Sequence, residues 1–260
     1  MTETKKRSKE LEFALDIAYR AGDVALNYFR QGITATMKHD NTPVTAADKE
    51  CERLVREAIA SAFPDDAILG EEEGESGKNA ASRRKWIIDP IDGTYNYARR
   101  IPIWSLLLAF EADGQIELGV VHAPAMGETF WAEKGGGAFC NGQPVHVSAI
   151  DSVQESMFVF GGPNRITGGA LAGGLNRVIA ATYRQRAFGD YLNFGFVFSG
   201  KAEAALETGV QPWDLAPMKI IAEEAGGRYS DLDGGTSIYK GSCLVSNGLV
   251  HNEILRLLLD

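Results

Sequence analysis

The segment from Ser105 to Val147 constrains the fold most, because it has the pattern of short strands separated by tight turns. Strands are predicted at residues 106–111, 116–123, 129–133 and 145–147. Glycine-containing turn signals separate them, at residues 113–114, 126–127, 135–137 and 141–142. Turns this short connect antiparallel neighbours, so the segment predicts an antiparallel meander.

Two amphipathic helices are predicted before the meander. From Ser8 to Phe29, apolar residues recur on one helical face, and Gly32 follows as a C-cap. Thr45 is a suitable N-cap for a second helix, which stops before Pro64. A strand and a turn then lead to three consecutive glutamates at residues 71–73.

After about residue 152, short strands and helices alternate. Strands are predicted at residues 153–160, 183–188 and 202–206. Helices are predicted at residues 171–181, 192–199, 214–225 and 252–259, with a glycine-rich loop at 161–174. This order favours a layered α/β (α+β) fold, with an N-terminal α+β half at residues 1–150 and a C-terminal α/β half at residues 151–260. We expect the functional site between the halves, completed by the second.

Composition excludes several classes of function. The net charge of −9 argues against non-specific binding to nucleic acid or to a membrane surface. The polar N-terminus is not a secretory signal, and no run approaches the roughly 20 apolar residues that span a bilayer. Neither zinc-site nor disulfide spacing is present, so reduced thiols in a cytoplasmic protein are predicted for Cys51, Cys140 and Cys243.

The residues best suited to chemistry lie in the segment Trp86 to Thr94, Trp-Ile-Ile-Asp-Pro-Ile-Asp-Gly-Thr. A short apolar strand is expected to end in two carboxylates three residues apart, Asp89 and Asp92. Gly93 lets the backbone approach a ligand, and a helix starting here would direct its free N–H groups at an anion. Two hard oxygen donors beside such a backbone predict a divalent metal site for a phosphate ester.

Three other carboxylates are candidates, and each has a plainer structural alternative. Considered without the other carboxylates, Glu71 would be part of a solvated acidic loop. Asp214 would alone cap a helix that has Pro217 in its first turn. Asp48 would alone be a charge on the surface of the second helix.

The chemistry expected of these donors is hydrolysis by a metal-activated water. Two or more Mg²⁺ ions would polarise the phosphoryl oxygens, lower the pKa of a bound water and neutralise the leaving alkoxide. Thr94 would orient that water while a carboxylate accepts its proton. No covalent nucleophile is needed, and a structural or surface role is expected for His39, His122, His146 and His251.

Taken together, these motifs resemble a known family. The runs Gly-Glu-Glu-Glu from Gly70, Asp-Pro-Ile-Asp-Gly-Thr from Asp89 and Trp-Asp-Leu-Ala-Pro from Trp213 are similar to motifs of the inositol monophosphatase superfamily. Its members are Mg²⁺-dependent, lithium-sensitive phosphatases. The resemblance extends from about Leu11 to the C-terminus and implies a five-layer αβαβα fold.

The resemblance also implies a set of metal ligands. Glu71, Asp89 and the backbone carbonyl of Ile91 would bind the first Mg²⁺. Asp89, Asp92 and Asp214 would bind the second. A third, weaker ion would use Glu71 and water, so the cofactor is two or three Mg²⁺ ions.

Further roles follow from the same resemblance. Thr94 and Glu71 would position the attacking water, and the backbone N–H groups of Gly93 and Thr94 would hold the phosphate. Glu72 and Asp48 would support these groups from behind, Asp48 through Thr94.

The segment from Phe188 to Asn193 departs from the inositol phosphatase pattern, which has small residues after the glycine. Asp190 and Tyr191 occupy these positions. Asp190 with Glu207 would make the part of the site that binds the leaving group anionic. A cationic leaving group would gain a charge-assisted hydrogen bond of roughly 1.5–3 kcal/mol. Histidinol phosphate carries an amine and an imidazole, and the surrounding sequence is similar to the histidinol-phosphate phosphatase branch. The alternative is that Asp190 caps the next helix and faces away.

Other functions remain open. The nearest rival is an inositol monophosphatase or a broad-specificity sugar-phosphate phosphatase, and a non-catalytic regulatory homologue is a third hypothesis. A bisphosphate would need a second cationic site. The arginines that would supply it are expected at the surface or a dimer interface: Arg165, Arg177, Arg184 and Arg186. The expected partners are a small phosphomonoester substrate and a second copy of the chain in a homodimer.

Overall fold

The computed structural model describes residues 7–32, 34, 36–37, 43–77 and 83–260. The helices of these ranges are α1 Lys9–Gln31, α2 Ala46–Ala62, α3 Thr94–Ala98, α4 Pro163–Thr167, α5 Ala172–Ala181, α6 Asp190–Phe198, α7 Pro212–Glu224 and α8 His251–Leu259, with a 3₁₀ turn at Val153–Glu155. The strands are β1 Thr36–Met37, β2 Pro43–Val44, β3 Ala67–Gly70, β4 Gly74–Ser76, β5 Arg84–Asp92, β6 Ser105–Ala112, β7 Gln115–Ala123, β8 Glu128–Glu133, β9 Ala138–Cys140, β10 Gln143–Val145, β11 Met157–Phe160, β12 Arg184–Arg186, β13 Ala204–Thr208, β14 Arg228–Ser230 and β15 Ser242–Ser246.

Helices α1 and α2 form the first layer, and the predicted caps Gly32 and Thr45 are confirmed. The Ser8 hydroxyl accepts a hydrogen bond from the Leu11 N–H at 3.0 Å. Thr45 forms a capping box with Asp48, and Gly32 ends α1 with a φ of 82°. The apolar faces of both helices pack on one side of the first sheet, in a buried cluster that includes Trp86.

The first sheet has eight strands in the order β10-β9-β8-β7-β6-β5-β3-β4. Every neighbouring pair is antiparallel except β3 and β5, so the predicted meander is confirmed. The second sheet has five strands in the order β12-β11-β13-β15-β14.

Three buried clusters separate the five layers. The first lies between α1, α2 and the first sheet, and the second holds side chains of both sheets and of α6 and α7. The third covers the far face of the second sheet with residues of α5 and α8, including Val178 and Ile254. The αβαβα fold is therefore confirmed. The division into halves at residues 150 and 151 stays a prediction.

Strand β5 differs from the expected strand, because it continues through both aspartates instead of ending at Ile88. Asp89 pairs with Leu107 and Asp92 with Ser105, so three steps along β5 match two along β6. This extra residue is a β-bulge, which accommodates Pro90 because proline lacks the N–H that a regular ladder requires.

Helix α7 also differs from the prediction, because it begins at Pro212 and Pro217 lies in its interior. The helix packs closely on β7 at Gly119. A Cβ atom on Gly119 would lie 2.7 Å from the Cα of Pro217, closer than such atoms approach. Because Gly119 has no side chain, α7 can come close to the first sheet at this point of β7.

The remaining differences are short elements. The 153–160 segment divides into the 3₁₀ turn and β11, and α4 lies inside the expected glycine-rich loop. The last meander strand is β10 at Gln143–Val145, and β9 was not predicted. In the described part of the chain, no helix is both long and apolar enough to cross a membrane.

Candidate active site

The predicted site residues converge on one cleft of about 460 Å³, where β5, α3, α6 and α7 meet. Nine candidates line it: Glu71, Asp89, Ile91, Asp92, Gly93, Thr94, Asp190, Glu207 and Asp214. The β5 bulge and the first turn of α7 therefore bring together carboxylates that lie more than 120 residues apart in sequence.

Three carboxylates form a cluster in this cleft. One carboxylate oxygen each of Asp89, Asp92 and Asp214 lies within 4.8 Å of the others. Burial, followed by the charges of Glu71 and Asp214, raises the pKa of Asp89 well above its usual range. Burial also raises the pKa of Asp92 well above its usual range and that of Asp214 to about 6.

This donor set suits a hard divalent cation. Buried carboxylates in mutual contact repel one another and resist ionisation, which a bound cation would reverse. Oxygen donors from carboxylates, with the carbonyl of Ile91 beside them, are the ligands that Mg²⁺ prefers. Asp214 also accepts a hydrogen bond from the Gln211 N–H at 2.7 Å, so the capping role and the place in the cluster coexist.

Behind the cluster, the expected contact between Asp48 and Thr94 is present. The Thr94 hydroxyl lies 3.3 Å from Asp48 Oδ1 and 3.0 Å from the carbonyl oxygen of Ile91. Asp48 is fully buried and accepts from the N–H and hydroxyl of Thr45 at 2.8 and 2.5 Å. Burial raises the pKa of Asp48 to about 6. Asp48 does not line the cleft, and it reaches the cleft only through Thr94.

Gly93 joins β5 to α3 in the left-handed conformation, with a φ of 85°. A Cβ atom there would lie 3.0 Å from the carbonyl oxygen of Ile103 and 3.1 Å from Asp190 Oδ2. Both the backbone conformation and the space therefore favour glycine at the predicted phosphate-binding position.

Asp190 also lines the cleft, close to Gly93, and its side chain does not cap α6. It has a positive φ of 54° and accepts a hydrogen bond from Asn96 Nδ2 at 2.6 Å. The next N–H, that of Tyr191, donates to Asp92 Oδ2 at 2.7 Å. The Tyr191 side chain is buried in the central core and does not line the cleft.

Glu207 requires a correction to the expected charge. It is 4% exposed and accepts from Asn193 Nδ2 at 2.7 Å. Burial raises its pKa to about 8, so the carboxyl is mostly protonated at pH 7 in the ligand-free cleft. Burial raises the pKa of Asp190 to about 6, so Asp190 ionises more readily than Glu207.

Arg165 lines the cleft, although the sequence analysis expected it at the surface or a dimer interface. Its Nη1 donates to the carbonyl of Gly209 at 2.6 Å, and its charge lowers the pKa values of Asp190 and Glu207. The short helix α4 presents it, after a proline at the first helical position. That proline was the available signal, but its glycine-rich surroundings favoured a loop.

Other candidates lie outside the cleft. Glu72 is half-buried beside it and donates its N–H to Glu52. Among the histidines, His122 and His251 are buried, His146 is exposed, and His39 lies outside the described residues.

Comparisons with known proteins give the family. The model of the Inositol monophosphatase family matches residues 6–259. Histidinol-phosphatase of Chlorobaculum parvum is 40% identical over 238 residues, 91% of each chain, and that of Mycobacterium tuberculosis is 38% identical over 252 residues, 95% and 96% of the chains. Fructose-1,6-bisphosphatase/inositol-1-monophosphatase of Thermotoga maritima is 38% identical over 215 residues, 82% of this chain and 81% of that one.

A solved structure agrees with this assignment. The extragenic suppressor protein SuhB of Bartonella henselae has a TM-score of 0.90 at 29% identity, over 96% of this chain and 98% of the other. The family model covers nearly the whole chain, and the relatives match it over most of their length. This chain therefore belongs to the inositol monophosphatase family.

Proposed function

We propose that the protein is a Mg²⁺-dependent phosphomonoesterase that hydrolyses L-histidinol phosphate to L-histidinol and phosphate, in histidine biosynthesis. One observation carries the proposal: a single cleft holds both a carboxylate cluster suited to cations and the further acidic side chains of Asp190 and Glu207. Relatives named histidinol-phosphatase, 34–40% identical, support the same choice.

In this proposal, groups of the chain bind the metal ions and the substrate, orient the attacking water and accept its proton. Glu71, Asp89, Asp92, Asp214 and the Ile91 carbonyl would hold two or three Mg²⁺ ions. When bound, these ions supply Lewis acidity toward the phosphoryl group and lower the pKa of a bound water.

Thr94 and Gly93 complete the phosphate side. Because the Thr94 hydroxyl donates to Asp48 or to Ile91, its oxygen keeps lone pairs that can accept a hydrogen bond from the attacking water. Asp48, with a pKa of about 6, is suited to receive a proton through Thr94. The backbone N–H groups of Gly93 and Thr94 would bind phosphoryl oxygens. The new P–O bond then forms to the water oxygen as the bond to the leaving alkoxide breaks, and the alkoxide takes a proton from solvent to give the alcohol.

The leaving-group side would select a cation. Asp190 is fixed by Asn96 and would accept a hydrogen bond from an ammonium or imidazolium. A cation beside Glu207 would favour its charged form, so substrate binding would release a proton from this carboxyl near neutral pH. A neutral cyclitol would gain neither interaction.

The test is a comparison of kcat/KM on L-histidinol phosphate, inositol 1-phosphate and fructose 1,6-bisphosphate, with Mg²⁺ in each assay. Histidinol phosphate should be preferred at least tenfold, which corresponds to about 1.4 kcal/mol. A tenfold preference for inositol phosphate would contradict the proposal.

The Asp190→Asn variant tests the selecting group. It should lower kcat/KM for histidinol phosphate roughly 10- to 150-fold, the equivalent of 1.5–3 kcal/mol, and affect the neutral-alcohol phosphate little. Asp16→Asn on the exposed face of α1 is the matched control. Equal losses on both substrates would remove Asp190 from substrate recognition.

The second candidate is an inositol monophosphatase or a broad-specificity sugar-phosphate phosphatase. The position of Arg165 in the cleft favours it, because a guanidinium there could bind a second anionic group of the substrate. Preferred hydrolysis of fructose 1,6-bisphosphate, lost in Arg165→Ala, would support this candidate. A non-catalytic homologue is disfavoured, because each acidic metal-ligand position has its carboxylate.

We also propose that the enzyme is a cytoplasmic homodimer. The family resemblance supports the dimer, and free thiols at all three cysteine positions are compatible with a reducing compartment. Light scattering of the purified protein should give twice the mass of the 28.2 kDa chain.

A further inference from the structure

A buried ion pair lies on the inner face of α2, beside the turn that carries Glu71. Glu52 has no exposed surface, Arg56 is 7% exposed, and Arg56 Nε donates to Glu52 Oε1 at 2.8 Å. A buried ion pair is tolerated only when further hydrogen bonds compensate the lost hydration. The partners that provide this compensation belong to residues 72–76.

The carboxylate of Glu52 binds the N–H side of the turn. Its Oε2 accepts from the Glu72 N–H at 2.8 Å, and its Oε1 accepts from the Glu73 N–H at 3.0 Å. Gly70 makes this approach possible, because a Cβ atom there would lie 2.3 Å from Glu52 Oε1. The two residues that follow Glu71 are thus fixed to α2 by one side chain.

The guanidinium of Arg56 binds the far end of the turn. Its Nη2 donates to the carbonyl of Gly74 at 2.5 Å, and its Nη1 donates to the Ser76 hydroxyl at 2.7 Å. On the other side of the turn, the Glu71 N–H donates to the carbonyl of Ile88 on β5 at 3.2 Å. Glu71 therefore lies between β5 and a segment fixed at several points to α2.

We propose that Glu52 and Arg56 are positioning residues that hold Glu71 in the geometry needed to bind Mg²⁺. The proposal rests on the proposed function, in which Glu71 is a metal ligand. Neither side chain lines the cleft, so each would act only through the turn. Groups that orient metal ligands typically contribute 10- to 100-fold to metal affinity.

The experiment measures Mg²⁺ binding directly, by titration calorimetry on the whole chain. The test variant is Glu52→Gln with Arg56→Met, which removes both charges together and leaves no unpaired ion in the interior. The matched control is Arg53→Met with Glu57→Gln. This pair lies on the same helix at 2.7 Å, and its side chains are 54% and 63% exposed. Melting temperatures in EDTA report on the fold.

The double variant should bind Mg²⁺ about 10- to 100-fold more weakly, while the control binds as the wild type does. At saturating Mg²⁺ the KM for substrate should change less than about threefold, which a general loss of structure would not produce. Glu52→Gln alone is the second variant, because it keeps the side-chain shape and one acceptor oxygen. It should give a smaller loss in the same direction.

Wild-type affinity for Mg²⁺ in both folded variants would overturn this proposal alone. A wild-type protein that binds no Mg²⁺ would overturn the proposed function as well.

Discussion

Asp92 shows how the neighbours of a carboxylate in this site act in opposite directions. Burial and the charges of Asp190 and Asp214 raise the pKa of Asp92, while the hydrogen bond from the Tyr191 N–H lowers it. The carboxylate is thus held by one hydrogen bond in surroundings that resist its ionisation. A bound cation would favour the charged form of this carboxylate.

Asp92→Asn should therefore remove activity without loss of the fold. The amide can still accept the Tyr191 N–H, but one charge of the cluster is lost. Mg²⁺-dependent turnover should fall at least about 100-fold, because groups that only support ligands already contribute 10- to 100-fold. In EDTA the melting temperature should equal or exceed that of the wild type. Unchanged turnover would refute the metal assignment.

Glu207 gives a second prediction at this scale, in the metal-free protein. Its folded pKa of about 8 exceeds the ordinary value of 4.5, so between these pH values the folded state binds more protons than the unfolded state. The contribution of Glu207 to the free energy of unfolding must then fall as pH rises from 4.5 to 8.

Glu207→Gln should abolish this dependence, because glutamine stays neutral and keeps an acceptor for Asn193. The variant should gain stability over the wild type as pH rises, by an upper limit of about 4–5 kcal/mol at pH 9. Urea unfolding at pH 6 and pH 9 in EDTA checks the sign. A difference between variant and wild type that is the same at both pH values would contradict the assignment.

At the scale of elements, the sequence predicted what local patterns determine. The helices α1 and α2 and most of the meander have apolar periodicity, caps or turns within their own residues. Strands β14 and β15 were missed because each has only three to five residues, and β15 pairs with β13, over 30 residues earlier. The extension of β5 was missed because a proline in a strand normally argues against it.

Some residues of the candidate site could be predicted from the sequence and others could not, for a similar reason. The metal-ligand candidates lie in short motifs, so their sequence context identified them. Arg165 lines the cleft, and Glu52 contacts the turn beside it, only because distant segments pack together. The pKa of Glu207 depends on burial, which its own sequence context does not contain.

The contact between α7 and β7 gives the prediction at this scale. Gly119→Ala would place a methyl group 2.7 Å from the backbone of Pro217 and 2.8 Å from Ile220. Because backbone atoms cannot rotate away, α7 must move, at a cost of roughly 1–3 kcal/mol. Thermal unfolding measures this loss of stability. Gly169→Ala is the control, since its nearest contact would be an ordinary 3.6 Å, and an equal loss there would contradict the explanation.

At the scale of the whole molecule, two buried histidines connect layers and respond to acid. His251 of α8 lies between the hydroxyls of Ser230 and Ser246, at 2.9 and 2.8 Å. His122 of β7 lies 2.9 Å from the Thr129 hydroxyl of β8, and its ring packs against Tyr19 of α1 at a centroid distance of 4.8 Å. Burial lowers the pKa of each to about 4.

Both histidines should make the protein less stable in acid. The unfolded chain binds their protons near pH 6.5, well before the folded chain does, so their stabilising contribution is lost as pH falls from 6.5 toward 4. The site carboxylates act in the opposite direction, so the measurement compares His251→Gln with the wild type. The stability difference between them should shrink between pH 7 and pH 4.5. A constant difference would contradict the low pKa of His251.

The hydrogen bond from the Tyr191 N–H to Asp92 has a consequence for how this family changes substrates. It joins the segment that contains Asp190 to the carboxylate cluster through a main-chain atom, which every residue except proline supplies. New side chains at positions 190 and 191 can therefore alter the alcohol accepted while this bond to Asp92 persists. Substitutions at these two positions would then leave the arrangement of the carboxylate cluster intact.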